Sequence, residues 1–313
     1  IRPGTDGALG LAMVNVIINE GLYDKEFVDG YTLGFEELKA HVQQYTPEWA
    51  AEITWVSAGD IKAVARIYAQ SKPACIVQGI NTLDQHVNGL QLSRLMSILQ
   101  IITGNIDKPG TWVSIPFLRM TDLRLPMTEK PIGADQYPLF YSLWGRVSPY
   151  GIATLFPQAA LESKPYPVRG AIVAAANPAN SFPEANKFIE AFKSMDFMMA
   201  IDIFMTESTE LADLVLPACT FMEKDALSYV HGVVHGEPYA MYHRKVIDPI
   251  GESKPDWWIW TQLAHRLGFG ELFPWNSDEE VMDHLMAPSG IGEELKANEL
   301  GMYFDKQDYY AYK

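Results

Sequence analysis

The stretch from residue 171 to 217 leaves this chain the least freedom. Two apolar runs, 171–176 and 197–201, flank a segment in which Ala185, Phe188, Ile189 and Phe192 recur on one helical face. Short runs that are apolar throughout suit strands buried on both faces, as in a parallel sheet covered by helices. Ser181 and Glu184 carry capping-box spacing ahead of the helix. The unit therefore reads strand, helix, strand, and a third run at 214–216, ended by Pro217, extends it. Open parallel sheets take ligands in the crevice outside the carboxyl ends of their strands. Asn177 follows the first run, and Asp202 and Thr206 follow the second. These residues are placed to hold a ligand, with a nucleotide as the first choice.

Upstream the pattern is helical. Residues 7–20 are apolar nearly all round, which predicts a buried helix. An amphipathic helix is expected at 34–44. Thr46-Pro47 reads as an N-cap with proline at the first helical position. Ser57 and Asp60 resemble another capping box, with Ile61, Val64, Ala65 and Tyr68 on one face. A buried strand is predicted at 74–78, then a helix at 86–102 stopped by Gly104. From 105 to 168 the pattern gives way to proline, glycine and aromatics, too apolar for a disordered linker. Further helices are expected at 256–267 and 278–286.

Composition narrows the classes of function. The 313 residues are 48% hydrophobic and include eight tryptophans, enough for a real core and about two domains. Acidic residues outnumber basic ones 39 to 24, a net charge of −15. That balance argues against nucleic acid and anionic membrane, both of which need a concentrated basic face. Cys75 and Cys219 stand far apart, and no CxxC exists, so this chain alone builds neither a zinc ribbon nor an iron–sulfur cluster. Both cysteines read as buried small hydrophobes. The apolar stretch 8–18 is too short to span a bilayer, so no direct membrane insertion is expected.

Several residues could carry chemistry, each with a plainer alternative. Asp202 could accept paired hydrogen bonds from a guanine edge or a ribose; it could equally begin a helical turn as a cap. Thr206 and Glu207 open a turn whose N–H groups favour an anion, although Thr206 alone reads first as a cap. Lys224 could neutralise a phosphate or be a solvated charge. Asp256 stands where a helix N-cap is expected. Gly4-Thr5-Asp6-Gly7 brings a hydroxyl and a carboxylate to a helix start, and Gln85-His86 follows the 74–78 run. His231, His235 and His243 lie among Gly232, Gly236 and Pro238, which favours a loop or hairpin over a metal site. Neither a Gly-x-Gly-x-x-Gly, a P-loop, a Gly-x-Ser-x-Gly nor a His-Glu-x-x-His is present, which removes the main support for simple NAD dehydrogenase, NTPase and serine hydrolase readings.

The ordered set of motifs is specific where each alone is weak. It comprises Arg2-Pro3-Gly4-Thr5-Asp6-Gly7, Tyr45-Thr46-Pro47-Glu48, Gln85-His86 with Asn88-Gly89, and Thr103-Gly104-Asn105-Ile106. It continues with Asn177-Pro178, Asp202-Ile203-Phe204-Met205-Thr206-Glu207, Ala212-Asp213-Leu214-Val215-Leu216-Pro217 and Glu223-Lys224-Asp225. Together these resemble the large subunit of the molybdopterin-dependent oxidoreductases, the dimethyl sulfoxide reductase superfamily. That group includes formate dehydrogenases, periplasmic nitrate reductases and polysulfide, thiosulfate and tetrathionate reductases.

The resemblance implies an α/β protein with two Rossmann-like, mostly parallel sheet domains flanked by helices, the first incomplete. Residues 1–84 would be the C-terminal part of one cofactor-binding domain and 85–313 the second, including the aromatic segment 105–168. The domains would clamp bis(molybdopterin guanine dinucleotide) with molybdenum or tungsten, supporting oxygen-atom or hydride-equivalent transfer in anaerobic respiration. Thr5 and Asp6 would lie near one guanosine and Gln85 near a pterin or the metal region. Asn177, Ile201, Asp202, Thr206, Lys224 and Asp256 would hold the other nucleotide and its phosphates. The metal-binding residue and any iron–sulfur cluster would belong to a segment before Ile1 or to a partner, and a sealing domain would follow Lys313. The chain thus reads as the middle of an enzyme, inactive alone, that works with the missing domains and an electron-transfer subunit. Periplasm and cytoplasm are both open to it. The alternative is a non-catalytic structural subunit that keeps the fold without the metal, as in the large peripheral subunit of respiratory complex I. One departure stands out: after Glu223-Lys224 the family's usual glycine and Glu-Gly-Arg are replaced by Asp225-Ala226-Leu227-Ser228.

Overall fold

The computed structural model describes residues 1–79, 86–112, 118–124, 130–138, 151–229 and 238–304. The chain divides into two compact units, Ile1–Ile115 and Pro116–Lys313.

In the first unit the described residues form α1 (Asp6–Asn19), α2 (Lys25–Tyr31), α3 (Phe35–His41), α4 (Pro47–Thr54), α5 (Ala58–Gln70) and α6 (Gly89–Ile102). Helix α1 is apolar on all sides and accordingly lies inside, against α4, α5 and α6. Val14, Ile17, Val42 and Ala65 form the sealed centre of its core. Its one buried amide, Asn15, is satisfied by donating to the Val42 carbonyl at 2.8 Å. The predicted caps form: the Thr46 hydroxyl accepts from the Trp49 N–H at 3.2 Å, and that of Ser57 from the Asp60 N–H at 3.1 Å. On α5, Ile61 and Ala65 are buried with Ala69, whereas Val64 faces outward. Helices α1 and α6 approach closely because Gly10 has no side chain; a Cβ there would stand 2.7 Å from Leu95. The sequence reading assigned α6 to the second domain, but packing on α1 places it in the first unit.

One expectation for this unit fails. No strand forms at 74–78, Val77 is 94% exposed, and Cys75 is exposed rather than buried. A strand exists through its ladder, and no described residue supplies one here. The Ala74 N–H instead donates to the Asn105 side chain at 3.2 Å.

The second unit contains both sheets found among the described residues. Its elements are α7 (Phe156–Glu162), β1 (Gly170–Ala174), α8 (Pro178–Ser181), α9 (Ala185–Lys193), β2 (Phe197–Asp202), β3 (Leu214–Pro217), β4 (Ala226–Ser228), β5 (Tyr239–His243), α10 (Asp256–Arg266), α11 (Asp278–Met286), α12 (Gly292–Ala297) and β6 (Met302–Tyr303). Strands β1, β2 and β3 are parallel and adjacent in that order, with Val173 opposite Ala200 and Ala200 opposite Val215. Phe188 and Phe192 of α9 cover one face with Phe156, packing on Val173 and Met198. Ile259 of α10 covers the other, against Met199 and Ile201. Central β2 is therefore buried on both faces, as its unbroken apolar run predicts.

The mixed helix-and-sheet class is thus as expected, but details differ. The Ser181–Glu184 capping box does not form. Ser181 ends α8 and its hydroxyl donates back to the Asn177 carbonyl at 2.8 Å, while Glu184 takes a left-handed conformation (φ 57°) and pairs with Lys187. The antiparallel sheet β4-β5-β6 and helices α2, α7 and α12 were not foreseen. Strands β4 and β5 flank the glycine-rich histidine segment and pair antiparallel, as a hairpin requires; His231 and His235 lie outside the described residues, and His243 ends β5. No helix among the described residues is long and apolar enough to cross a membrane.

Candidate functional site

The carboxyl ends of the three parallel strands converge on a cleft of about 350 Å³. Asn177, Ile201, Asp202, Lys224 and Asp256 line it, with Ile203, Phe204 and Cys219 among the others. Five residues separated by up to 79 positions are thus brought to one place by the sheet order. Of the residues expected there, Thr206 alone is outside the lining.

Asp202 ends β2 and turns its own loop. One carboxylate oxygen accepts from the N–H groups of Ile203, at 2.7 Å, and Phe204, at 3.1 Å. The second oxygen has no partner among the described residues and is available to a ligand. The carboxylate thus fixes a bend at the strand end and caps no helix.

Asn177 ties the β1 end to the β2 end. Its side-chain oxygen accepts from the Ser208 N–H (3.1 Å) and hydroxyl (2.8 Å), and its amide donates to Glu207 at 2.6 Å. Asn180 donates to the same carboxylate at 3.1 Å, and these amides hold the Glu207 carboxyl below its ordinary pKa. Thr206 is a local cap, its hydroxyl accepting from the Thr209 N–H at 3.2 Å. Asn177 therefore shapes the cleft wall, whereas Thr206 fixes the loop behind it.

Lys224 and Asp256 form an ion pair whose side chains are 26% and 35% exposed. The sequence placed Asp256 at an N-cap, but Pro255 holds that position and Asp256 is the first helical residue, with its carboxylate turned to Lys224. Lys224 is fixed by its neighbours. Glu223, 3% exposed, accepts from the Thr220 N–H (2.7 Å) and hydroxyl (2.8 Å) and from the Ile250 N–H (2.5 Å). Those backbone donors, Thr220 first, lower its carboxyl pKa to about 2. Asp225 accepts from the Tyr242 hydroxyl and the Lys245 N–H, both at 2.7 Å. Burial of the Tyr242 phenol, followed by its bond to that carboxylate, pushes the phenol's pKa up. The two acids thus fasten the turn on either side and hold Lys224 at the cleft. The sequence reading gave Glu223 no role, although Thr220-x-x-Glu223 has the spacing of a Thr/Glu reciprocal pair.

In the first unit, Thr5 precedes α1 and its hydroxyl donates to the Arg2 carbonyl at 2.6 Å. Asp6 is exposed in the first turn, where a carboxylate suits the helix dipole. Gly4, with φ 77°, lies beside the His86 ring. Contacts of Gly7 with Leu92 and Gly10 with Leu95 show that α1 and α6 run parallel, with their N-termini together. Gln85 lies outside the described residues. Among the described residues, no three His, Cys, Asp or Glu side chains gather as a metal site.

Comparison with known proteins gives one consistent result. The family model described as molybdopterin oxidoreductase matches residues 1–266. Acetylene hydratase of Syntrophotalea acetylenica is 32% identical over 93% of the chain, and the F420-dependent formate dehydrogenase alpha subunit of Methanocaldococcus jannaschii is 34% identical over 91%. The molybdopterin-containing subunit of thiosulfate reductase from Salmonella typhimurium is 30% identical over 88%. The chain spans 43%, 42% and 38% of these proteins' respective lengths. The solved structure of acetylene hydratase from Pelobacter acetylenicus superposes on 98% of the chain with a TM-score of 0.87 at 29% identity, using 46% of that chain.

Proposed function

This chain belongs to the molybdopterin oxidoreductase family, and we propose that it is the central cofactor-binding part of a molybdenum or tungsten oxidoreductase that holds bis(molybdopterin guanine dinucleotide). The observation that carries the reading is the cleft at the ends of β1, β2 and β3, lined by Asn177, Ile201, Asp202, Lys224 and Asp256. Its position obeys the binding rule for open parallel sheets. Its volume of about 350 Å³ is at the small end of ligand sites, the size for one nucleoside-scale portion of a longer molecule. The donor set also fits. Asp202 offers one carboxylate oxygen that has no partner among the described residues to the amine or hydroxyl groups of a guanosine, and Lys224 offers a positive charge to its phosphates.

The residues then have separate tasks. Asp202 accepts from the nucleoside, Lys224 faces phosphate, and Asp256 keeps the ammonium at the cleft. Asn177 and Thr206 hold the strand-end loops in register. Thr5 and Asp6, at the first unit's paired helix starts, serve the second nucleotide, with Gln85 assigned to the pterin region. When bound, the metal centre supplies the redox and atom-transfer chemistry; the protein binds and orients it. By their names, the relatives act on acetylene, formate and thiosulfate. What is common to them within this segment is therefore best read as cofactor binding. Electrons would leave through clusters on other segments or on a partner subunit.

The test uses the full-length protein purified anaerobically from its own host. Molybdenum or tungsten together with GMP released by acid hydrolysis is expected. A well-folded preparation with neither would overturn the reading. In the same protein, Asp202→Ala is expected to lower metal and GMP content severalfold while leaving the unfolding temperature within a few degrees. Full occupancy in that variant would remove Asp202 from the site.

A further inference from the structure

Phe204 has no structural task that accounts for its position. It lines the cleft next to Asp202, yet it is 71% exposed. Ile203 and Met205 beside it are 49% and 64% exposed, so the ring belongs to an apolar patch, and such a patch marks a contact surface. Among the described residues it makes no ring–ring contact, unlike Phe156, Phe182, Phe188 and Phe192 of the same unit. Nor is the loop that bears it loose. The Ile203 and Phe204 N–H groups are both bound by one Asp202 oxygen, so the carboxylate fixes the backbone on which the ring is carried. The other oxygen of that carboxylate is open. An acceptor and an aromatic ring are thus carried two positions apart on one turn that lines the cleft.

We propose that Phe204 is the stacking platform for the base of the nucleotide bound at this cleft, with Asp202 reading donor groups on the same nucleoside. The inference rests on the nucleotide reading given above. It adds the residue that contacts the base face and the direction of binding. The charges agree with that direction. Asp202 has no ion-pair partner among the described residues, and the lysine that lines the cleft, Lys224, is paired with Asp256. The Asp202–Phe204 side therefore suits a neutral, donor-bearing base, and the phosphates belong on the Lys224 side. Stacking on an aromatic side chain is worth about 1–3 kcal/mol per base, which corresponds to roughly 5- to 150-fold in affinity.

The experiment titrates full-length protein, produced without its cofactor, with GMP and with ribose 5-phosphate. For Phe204→Ala, GMP affinity is expected to fall about tenfold or more, with ribose 5-phosphate unaffected. Phe204→Trp should restore GMP binding and Phe204→Leu should not, since leucine supplies bulk without a π face. Equal GMP affinity in wild type and Phe204→Ala would overturn the stacking role while leaving the nucleotide reading intact. So would equal rescue by leucine and tryptophan, which would mark Phe204 as packing. Absence of GMP binding in the wild type, with folding verified by its unfolding temperature, would overturn both.

Discussion

Glu223 is a buried acid held far from its ordinary protonation behaviour. It is buried, accepts from the Thr220 and Ile250 backbone, and has its carboxyl pKa lowered from 4.5 to about 2. A depressed folded-state value means that the unfolded chain takes up the proton first on acidification. Glu223 therefore contributes its full stabilisation above about pH 4.5, and that contribution is lost as pH falls towards about 2. Glu223→Gln is expected to be less stable than wild type at pH 7, with the difference shrinking through this window. Urea melts at pH 7, 4 and 2.5 would measure it, and a difference independent of pH would contradict the assignment. Part of this site was legible in the sequence. Glu223-Lys224-Asp225 is visible as a motif, and the sequence leaves Lys224 open between a phosphate partner and a solvated charge. The roles of the flanking acids were hidden because their partners, Ile250 and Tyr242, are set by tertiary structure. Likewise Asn177 was legible as a strand-end residue, but its bonds to Glu207 and Ser208 lie 30 and 31 positions away.

Among elements, those with a local cause were the ones that could be read. Helices α4 and α5 start where their hydroxyl caps do, and α11 occupies the expected range because Ser277 caps it through the Glu280 N–H. Ser57→Ala is expected to cost about 1 kcal/mol, measured by chemical denaturation, without changing the end points of the transition. The 74–78 run shows the converse. Its apolar composition suits a strand, but a strand needs a ladder that composition does not supply. Strands β4 and β6 span three and two residues, too short for a period-2 signal. Close approach of two helices is equally invisible locally. Gly10 looks like a helix-weakening residue, yet it admits Leu95 where a Cβ would stand at 2.7 Å. Gly10→Val is therefore expected to destabilise the first unit by about 1–3 kcal/mol through overpacking, despite its better helix propensity. A stabilised variant in the same denaturation assay would show that α6 can move aside at little cost.

At the scale of the molecule, the two proposed nucleotide sets belong to different units: Thr5 and Asp6 to Ile1–Ile115, and Asn177, Asp202, Lys224 and Asp256 to Pro116–Lys313. This division makes a bis(dinucleotide) cofactor distinguishable from a separate nucleotide. In the former, both guanosines are joined through the pterins and the metal, so the protein grips one ligand at two ends. Such bivalent attachment multiplies the two affinities, because the second contact forms at high effective concentration. Weakening either end must then release the whole ligand. Asp6→Ala and Asp202→Ala in the full-length protein are each expected to lower metal and GMP in parallel. The GMP-to-metal ratio would stay at about two in whatever cofactor is retained, and the double variant would lose far more than either single one. Elemental analysis and nucleotide release on the same preparations measure both quantities. GMP falling while metal stays constant would mean that the strand-end cleft holds a nucleotide of its own. A loss confined to Asp202→Ala would instead exclude Asp6, and with it the paired helix starts of the first unit, from cofactor binding.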